Sequence, residues 1–140
     1  MSAAAATATL WIALGGAIGS VARYWLAILV ARLAGGTFPW GTLLINILGS
    51  FVIAYFGTLT MPEGPRPASV DMRLFVMVGL CGGFTTFSSF SFQTIELLRG
   101  GESARALAYI VGSVALCLAG TVLGHYLAQL GAIAPAGGQP

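Results

Sequence analysis

Four long apolar segments follow one another along this chain, and they constrain its fold more than any other feature. They run over about 8–32, 41–61, 72–98 and 104–130. A membrane-spanning α-helix needs about 20 apolar residues, so each segment is long enough to cross a bilayer. The sequence therefore predicts an all-α membrane protein with four transmembrane helices in a single domain, residues 1–140.

Charged residues are scarce, and their placement excludes several classes of protein. They make up 7% of the chain, whereas a soluble domain carries about 25%. The net charge of +2 is too small for a nucleic-acid-binding surface. His125 is the only histidine and no carboxylate lies in the middle of a segment, so we expect neither an enzyme nor a proton-coupled transporter.

The two ends of the chain carry little further information. The N-terminal stretch MSAAAATATLWIALGG has no basic residue, so we expect no cleaved signal peptide. The last ten residues, GAIAPAGGQP, are typical of a disordered tail.

Glycines cluster near the middle of the third segment. Gly79, Gly82 and Gly83 come just before Thr85 and Thr86. Each glycine weakens a helix by about 1 kcal/mol and permits unusual backbone angles. The cluster predicts one of two things: a helix broken near its midpoint, whose freed backbone groups face an ion, or a surface for close helix packing.

Small residues and arginines both bear on assembly. Gly15–Gly19 and Gly120–Gly124 have the spacing of close helix interfaces. Four short helices cannot easily enclose a pore, so we expect self-association.

Two arginines fall on the side of the termini and three on the other side, which is almost no orientation signal. Both a single orientation and an antiparallel dimer of dual topology remain open.

Uncharged polar residues lie inside the second and fourth segments. Asn46 predicts either a hydrogen bond between helices or a donor in a pore, since an unbonded amide in hydrocarbon is costly. Tyr109, Ser113, Cys117 and Thr121 recur every fourth residue and so share one helix face. That row either replaces the water around a moving anion or consists of small residues for packing.

The stretch GFTTFSSFSFQ, at 83–93, alternates rings and hydroxyls. On a helix, Phe87 and Phe90 lie about 60° apart, with Thr86, Ser91 and Gln93 beside them. The edge of an aromatic ring is positive and meets an anion. Rings among hydroxyls without fixed charge suit an ion that must lose water yet not bind tightly. The alternative is aromatic packing, with serines bonded back to helix carbonyls.

Arg23 lies about midway along the first segment. A cation at that depth should face protein or water. It either draws anions toward a vestibule or pairs with a glutamate or a lipid phosphate.

Three stretches of the chain resemble the Fluc/CrcB family of fluoride channels. They are GGAIGSVARY at 15–24, WGTLLINILGSF at 40–51 and GLCGGFTTFSSFS at 79–91. They occur in the family's order on the same spans, and the resemblance covers the chain except its two tails.

That resemblance implies a fluoride channel of the cell inner membrane that lets fluoride leave the cell passively. The family's channels are antiparallel homodimers embedded in lipid, with two pores. The residues expected to meet fluoride are Phe87, Phe90, Asn46, Tyr109, Ser113, Thr86, Ser91 and Arg23. The resemblance also implies a structural sodium ion at the dimer centre, held by backbone carbonyls of Gly82 and Thr85 from both subunits.

The sequence departs from the family pattern at two positions. Gln93 stands where the family usually has a glutamate, which removes a charge. Cys117 stands where serine or threonine is common, and a thiol is a poor donor. We therefore expect weak fluoride contact at Cys117, with Thr121 compensating.

Two other functions compete with the channel. A small four-helix multidrug exporter needs a membrane carboxylate in the first span, and segment one has none. A non-transporting membrane scaffold would pass no ion and would tolerate Asn46→Asp.

Overall fold

The computed structural model describes residues 2–133, and within them all regular structure is helical. Helix α1 spans Ala3–Ala34, α2 spans Trp40–Thr60 and α6 spans Ser103–Ile133. Between α2 and α6 the third span, Val70–Arg99, is built from several shorter pieces. All four spans are long and apolar enough to cross a membrane, which confirms the predicted all-α, four-span fold.

Hydroxyl side chains and glycines fix where these helices begin and end. Ser2 accepts a hydrogen bond from the Ala5 amide at the start of α1, and Ser69 does the same for the Met72 amide in the third span. Gly35 follows α1 with a φ of 78°, a value that favours glycine. Helix α6 continues through 131–133, so the prediction of a disordered tail is wrong for those three residues; 134–140 lie outside the described residues.

The third span changes its winding twice before it breaks. Helix α3, Val70–Arg73, leads into a π-helical segment, Leu74–Cys81, and then into α4, Gly82–Phe84. The backbone is extended at Thr85 and Thr86, and α5, Phe87–Arg99, follows. The predicted break near the midpoint is confirmed, two residues beyond the last glycine of the cluster.

Glycines let α1 pack directly against the backbone of the third span. A Cβ atom on Gly79 would lie 2.9 Å from the Gly15 Cα, and one on Gly83 would lie 2.9 Å from the Gly16 Cα. A side chain at Gly82 would meet nothing within 4 Å. Gly79 and Gly83 therefore serve close packing, while Gly82 lies open just before the break.

The two small-residue pairs noted in the sequence are both used inside the protomer. Gly15 and Gly19 pack on the third span, and Gly120 and Gly124 pack on α2. They therefore supply contacts between the helices of one chain. Any surface for self-association lies elsewhere.

Most large apolar side chains point outward. Among the described residues, the only large side chains that are less than 2% exposed are Tyr109 and Ile45. An apolar surface this extensive needs a non-aqueous neighbour, which for four membrane spans is lipid or another protein chain. Two of the buried polar residues, Thr86 and Ser113, lie where α2, the third span and α6 meet, and this is where the candidate site is found.

Candidate functional site

A groove of about 430 Å³ runs between α2, the third span and α6. No charged residue lines it among the described parts of the chain. Its lining combines apolar side chains with uncharged polar ones and two phenyl rings. The polar and aromatic members are Asn46, Ser50, Cys81, Thr85, Phe87, Phe90, Ser113 and Cys117.

Asn46 ties α2 to the break in the third span. Its Oδ1 accepts a hydrogen bond from the Thr86 amide at 2.8 Å, and its Nδ2 donates to the Thr86 carbonyl at 3.2 Å. The predicted interhelical hydrogen bond is therefore present, and it joins a side chain to backbone. A carboxamide has two N–H groups, so one N–H remains for another acceptor.

The break brings two helix ends of opposite polarity together. In a continuous helix the Thr86 amide would donate to the Gly82 carbonyl, but here it donates to Asn46. The Gly82 carbonyl thereby loses its helical partner at the negative end of α4. At the positive end of α5, the Thr86 hydroxyl accepts from the Ser89 amide.

Glycine also lets α2 approach this break closely. A side chain on Gly49 would collide with the methyl group of Thr85. Gly49 lies one turn after Asn46 and lines the same groove. The sequence at 46–49 therefore does two things. Asn46 hydrogen-bonds the backbone at the break, and Gly49 leaves the space that the Thr85 side chain occupies.

Phe87 and Phe90 line the groove together, with ring centroids 5.4 Å apart and a tilt of 46°. Phe87 is 79% exposed at the edge of the protomer. Phe90 also lies 5.1 Å from the ring of Tyr109. One ring is thus anchored in the protein, while the other projects from it.

Ser113 carries a hydroxyl with no hydrogen-bond partner among the described residues, although the residue is only 6% exposed. Helical serines and threonines commonly bond back to the preceding turn. Ser91, Thr94 and Thr121 do so here. A buried hydroxyl left unbonded is unfavourable unless a ligand uses it, and Ser113 lines the groove.

Tyr109 lies behind the groove. It is fully buried, and its hydroxyl donates to the Gln93 Oε1 at 2.9 Å. Its ring packs between Phe38, at 5.4 Å, and Phe90. Gln93 itself lines a second cavity of about 540 Å³ between α1, α2, α5 and the start of α6. We call this second cavity the vestibule.

The structure does not bring every predicted site residue to the groove. Ser91 is exposed and its hydroxyl donates to the Phe87 carbonyl. Arg23 is half-buried on α1, and lines neither the groove nor the vestibule. The Thr121 hydroxyl donates to the Cys117 carbonyl, so it is not available to compensate for the thiol. Thr86 acts on the groove through its backbone bonds to Asn46.

Three groove residues whose side chains carry oxygen or sulfur were given no functional role from the sequence. Ser50 lies four residues after Asn46, a spacing that puts both on one helix face and that would have identified it. Met77 and Cys81 lie on the π-helical segment. Their positions depend on the winding of that segment, which the apolar pattern alone does not reveal.

A family model described as CrcB-like protein, Camphor Resistance (CrcB), matches residues 10–125. That range holds more than half of the chain and every residue that lines the groove. The chain belongs to the CrcB family. The resemblance found in the sequence is thereby confirmed, and the four spans make this CrcB-family chain a multi-pass membrane protein.

Curated relatives match the CrcB-family chain over most of its length. A protein of Methylocella silvestris named Fluoride-specific ion channel FluC is 56% identical over 119 residues, which are 85% of this chain and 91% of the relative. Proteins of the same name from Opitutus terrae and Rhodospirillum rubrum are 57% and 54% identical; the matches cover 85% and 86% of this chain, and 90% and 94% of the relatives.

Proposed function

We propose that this chain is a fluoride-selective channel that lets fluoride leave the cell passively through the inner membrane. The observation that carries the proposal is the unbonded Ser113 hydroxyl, buried in a charge-free groove beside two phenyl rings. The relatives named fluoride-specific ion channels support the choice of ion.

The groove offers several weak, neutral contacts to an anion. The Ser113 hydroxyl and the remaining N–H of Asn46 are donors, and the edges of Phe87 and Phe90 are positive. Such groups replace water around a small anion without holding it as a fixed charge would. An ion that must also leave the pore needs this balance between entry and release.

The chain acts, in this proposal, as an antiparallel homodimer with two pores. Phe87 is 79% exposed on a protomer whose groove opens at its surface, so a second copy would complete the lining. The near-absence of an arginine bias permits both orientations in the membrane.

A structural sodium ion would bind at the break, where the helix end offers backbone oxygens. The Gly82 carbonyl has lost its helical partner and the residue is exposed, which suits an oxygen ligand for a hard cation. Gly82 and Thr85 from each of two subunits would hold it. The ion would supply positive charge that fixes the break, whereas the groove residues bind and guide the anion.

The experiment that tests this function is ion efflux from liposomes that contain the purified protein. A fluoride electrode and a chloride electrode record the two ions in parallel. We expect rapid fluoride efflux and far slower chloride efflux, because the O–H and N–H donors of Ser113 and Asn46 form stronger hydrogen bonds with the small, charge-dense fluoride ion than with chloride. Equal rates for the two ions would contradict selectivity, and no efflux of either would contradict transport.

A further inference from the structure

Three sulfur-bearing residues line the same groove as the unbonded Ser113 hydroxyl. Cys81 and Met77 belong to the π-helical segment, and Cys117 lies four residues after Ser113 on α6. Both cysteines are free thiols. Two thiols and a thioether in one charge-free cavity are an unusual lining for a path proposed to carry a hard anion.

The sulfur residues differ in how easily a solute reaches them. Cys117 is half-buried, whereas Cys81 is 3% exposed. A small solute in the groove therefore meets Cys117 before Cys81. Met77 is half-buried as well and lies at the same cavity wall.

We propose that this groove is a binding site for soft, thiophilic cations such as Ag⁺, with Cys117 as the thiol that is reached first. Thiol and thioether ligands select soft ions. The groove holds no histidine or carboxylate that would favour a harder metal, and the described residues contain no cluster of three His, Cys, Asp or Glu side chains.

Binding requires no redox step. Ag⁺ forms a bond to the Cys117 sulfur, the S–H bond breaks, and the proton goes to water. Cys81 and Met77 line the same groove and would offer further sulfur ligands to the bound ion. The product is a neutral silver thiolate next to the Ser113 hydroxyl, so the bound metal fills the groove where the anion would pass.

The block of transport rests on the proposed function, but silver binding does not. Two measurements therefore separate them. Native mass spectrometry of the purified full-length protein counts bound silver, and fluoride efflux from liposomes measures inhibition. Silver nitrate is added in chloride-free buffer, since silver chloride precipitates and silver fluoride dissolves.

We expect the wild-type protein to bind silver and its fluoride efflux to fall to that of protein-free liposomes. Excess thiol should restore the efflux. Cys117→Ser should lose most of the inhibition relative to its own starting rate, and the Cys81→Ser/Cys117→Ser double variant should bind no silver. Met77→Leu should weaken the inhibition by silver, whereas its matched control Met72→Leu should keep full sensitivity, since Met72 lies outside the groove.

Three results would contradict the proposed silver-binding site. They are a wild-type protein that binds no silver, a double variant that binds as much as the wild type, and inhibition that survives in the double variant. Sensitivity lost in Cys81→Ser but kept in Cys117→Ser would overturn the assignment of the first thiol. Cys117→Ala replaces Cys117→Ser if the latter does not fold. A protein that binds silver at these cysteines but passes no fluoride would contradict the proposed function alone.

Discussion

The groove and the vestibule differ in electrostatic character, although Tyr109 contacts residues of both: its ring packs on Phe90 and its hydroxyl bonds to Gln93. The groove has no charged lining residue, whereas the vestibule is lined by Glu96, Glu102 and Arg105. Charged side chains act on an ion while it approaches, and neutral donors act on an ion that has lost water. In the proposed channel, the two negative charges and one positive charge of the vestibule would act on an ion that approaches, and the neutral donors of the groove would act in its recognition.

Phe90, Tyr109 and Gln93 form the boundary between the two regions. The Phe90 ring faces the groove and packs on Tyr109, and the Tyr109 hydroxyl donates to Gln93 in the vestibule. The Gln93 Oε1 already accepts the bond from Tyr109, and the two N–H groups of the Gln93 amide can donate to other partners. A neutral amide at this point keeps fixed negative charge away from the boundary.

The largest expected effect is on the rings of the groove. We expect Phe90→Ile to reduce fluoride efflux about 100-fold, equal to about 2.7 kcal/mol of lost stabilisation, because it removes a positive ring edge and the contact with Tyr109. Efflux from liposomes measures it. Phe92→Ile is the matched control, since Phe92 is 67% exposed and does not line the groove. Equal losses in both variants would mean that the effect is not specific to the groove.

A smaller effect is expected at Ser113. Ser113→Ala removes one of several donors to a charged ion; at the lower end of what such a bond contributes, about 1.5 kcal/mol, efflux should fall about tenfold. The thermal stability should stay the same, because the hydroxyl has no partner among the described residues. Thr94→Val is the control, since the Thr94 hydroxyl bonds to the Phe90 carbonyl and the residue lies off the groove. A marked loss of stability in Ser113→Ala would show that the hydroxyl has a structural role instead.

The smallest effect is expected in the vestibule. Arg105 pairs with Glu102 at the surface, and exposed pairs contribute only about 0–1 kcal/mol. Arg105→Gln should slow fluoride efflux about two- to threefold at low salt and not at all at high salt, because salt screens the attraction. The control is Arg66→Gln, since Arg66 is exposed in the connection 61–69 and does not line the vestibule. A loss of efflux that does not depend on salt would mean that Arg105 binds the ion directly, and it would contradict the distinction between the two cavities.

The sequence alone was sufficient for the spans, whereas for the glycine cluster it left open a broken helix or close packing, and the structure shows both. Apolar segments of this length have few alternatives to membrane helices, and glycines before two threonines disfavour a continuous one. The role of each glycine was not predictable. Gly79 and Gly83 face α1, while Gly82 does not, and that difference depends on the π-helical winding between Leu74 and Cys81.

The candidate site was predictable in its residue types and less so in its arrangement. The sequence pointed to Asn46, both phenylalanines and Ser113, which all line the groove. It did not reveal that Asn46 bonds the backbone of Thr86, because the two residues lie 40 positions apart. Nor did the face shared by Tyr109 and Ser113 predict that Tyr109 is covered by its neighbours.

The pair of hydrogen bonds between Asn46 and Thr86 also sets a register between two helices. If α2 slid or rotated by one residue relative to the third span, both bonds would be lost. The connection at 61–69 lies outside the segment that this pair of bonds constrains, although its own amides at Arg66 and Ala68 bond to the end of α2. An inserted residue would shift the position of the break in the third span if it fell between Asn46 and the end of α2. The same holds for an insertion between α3 and Thr86.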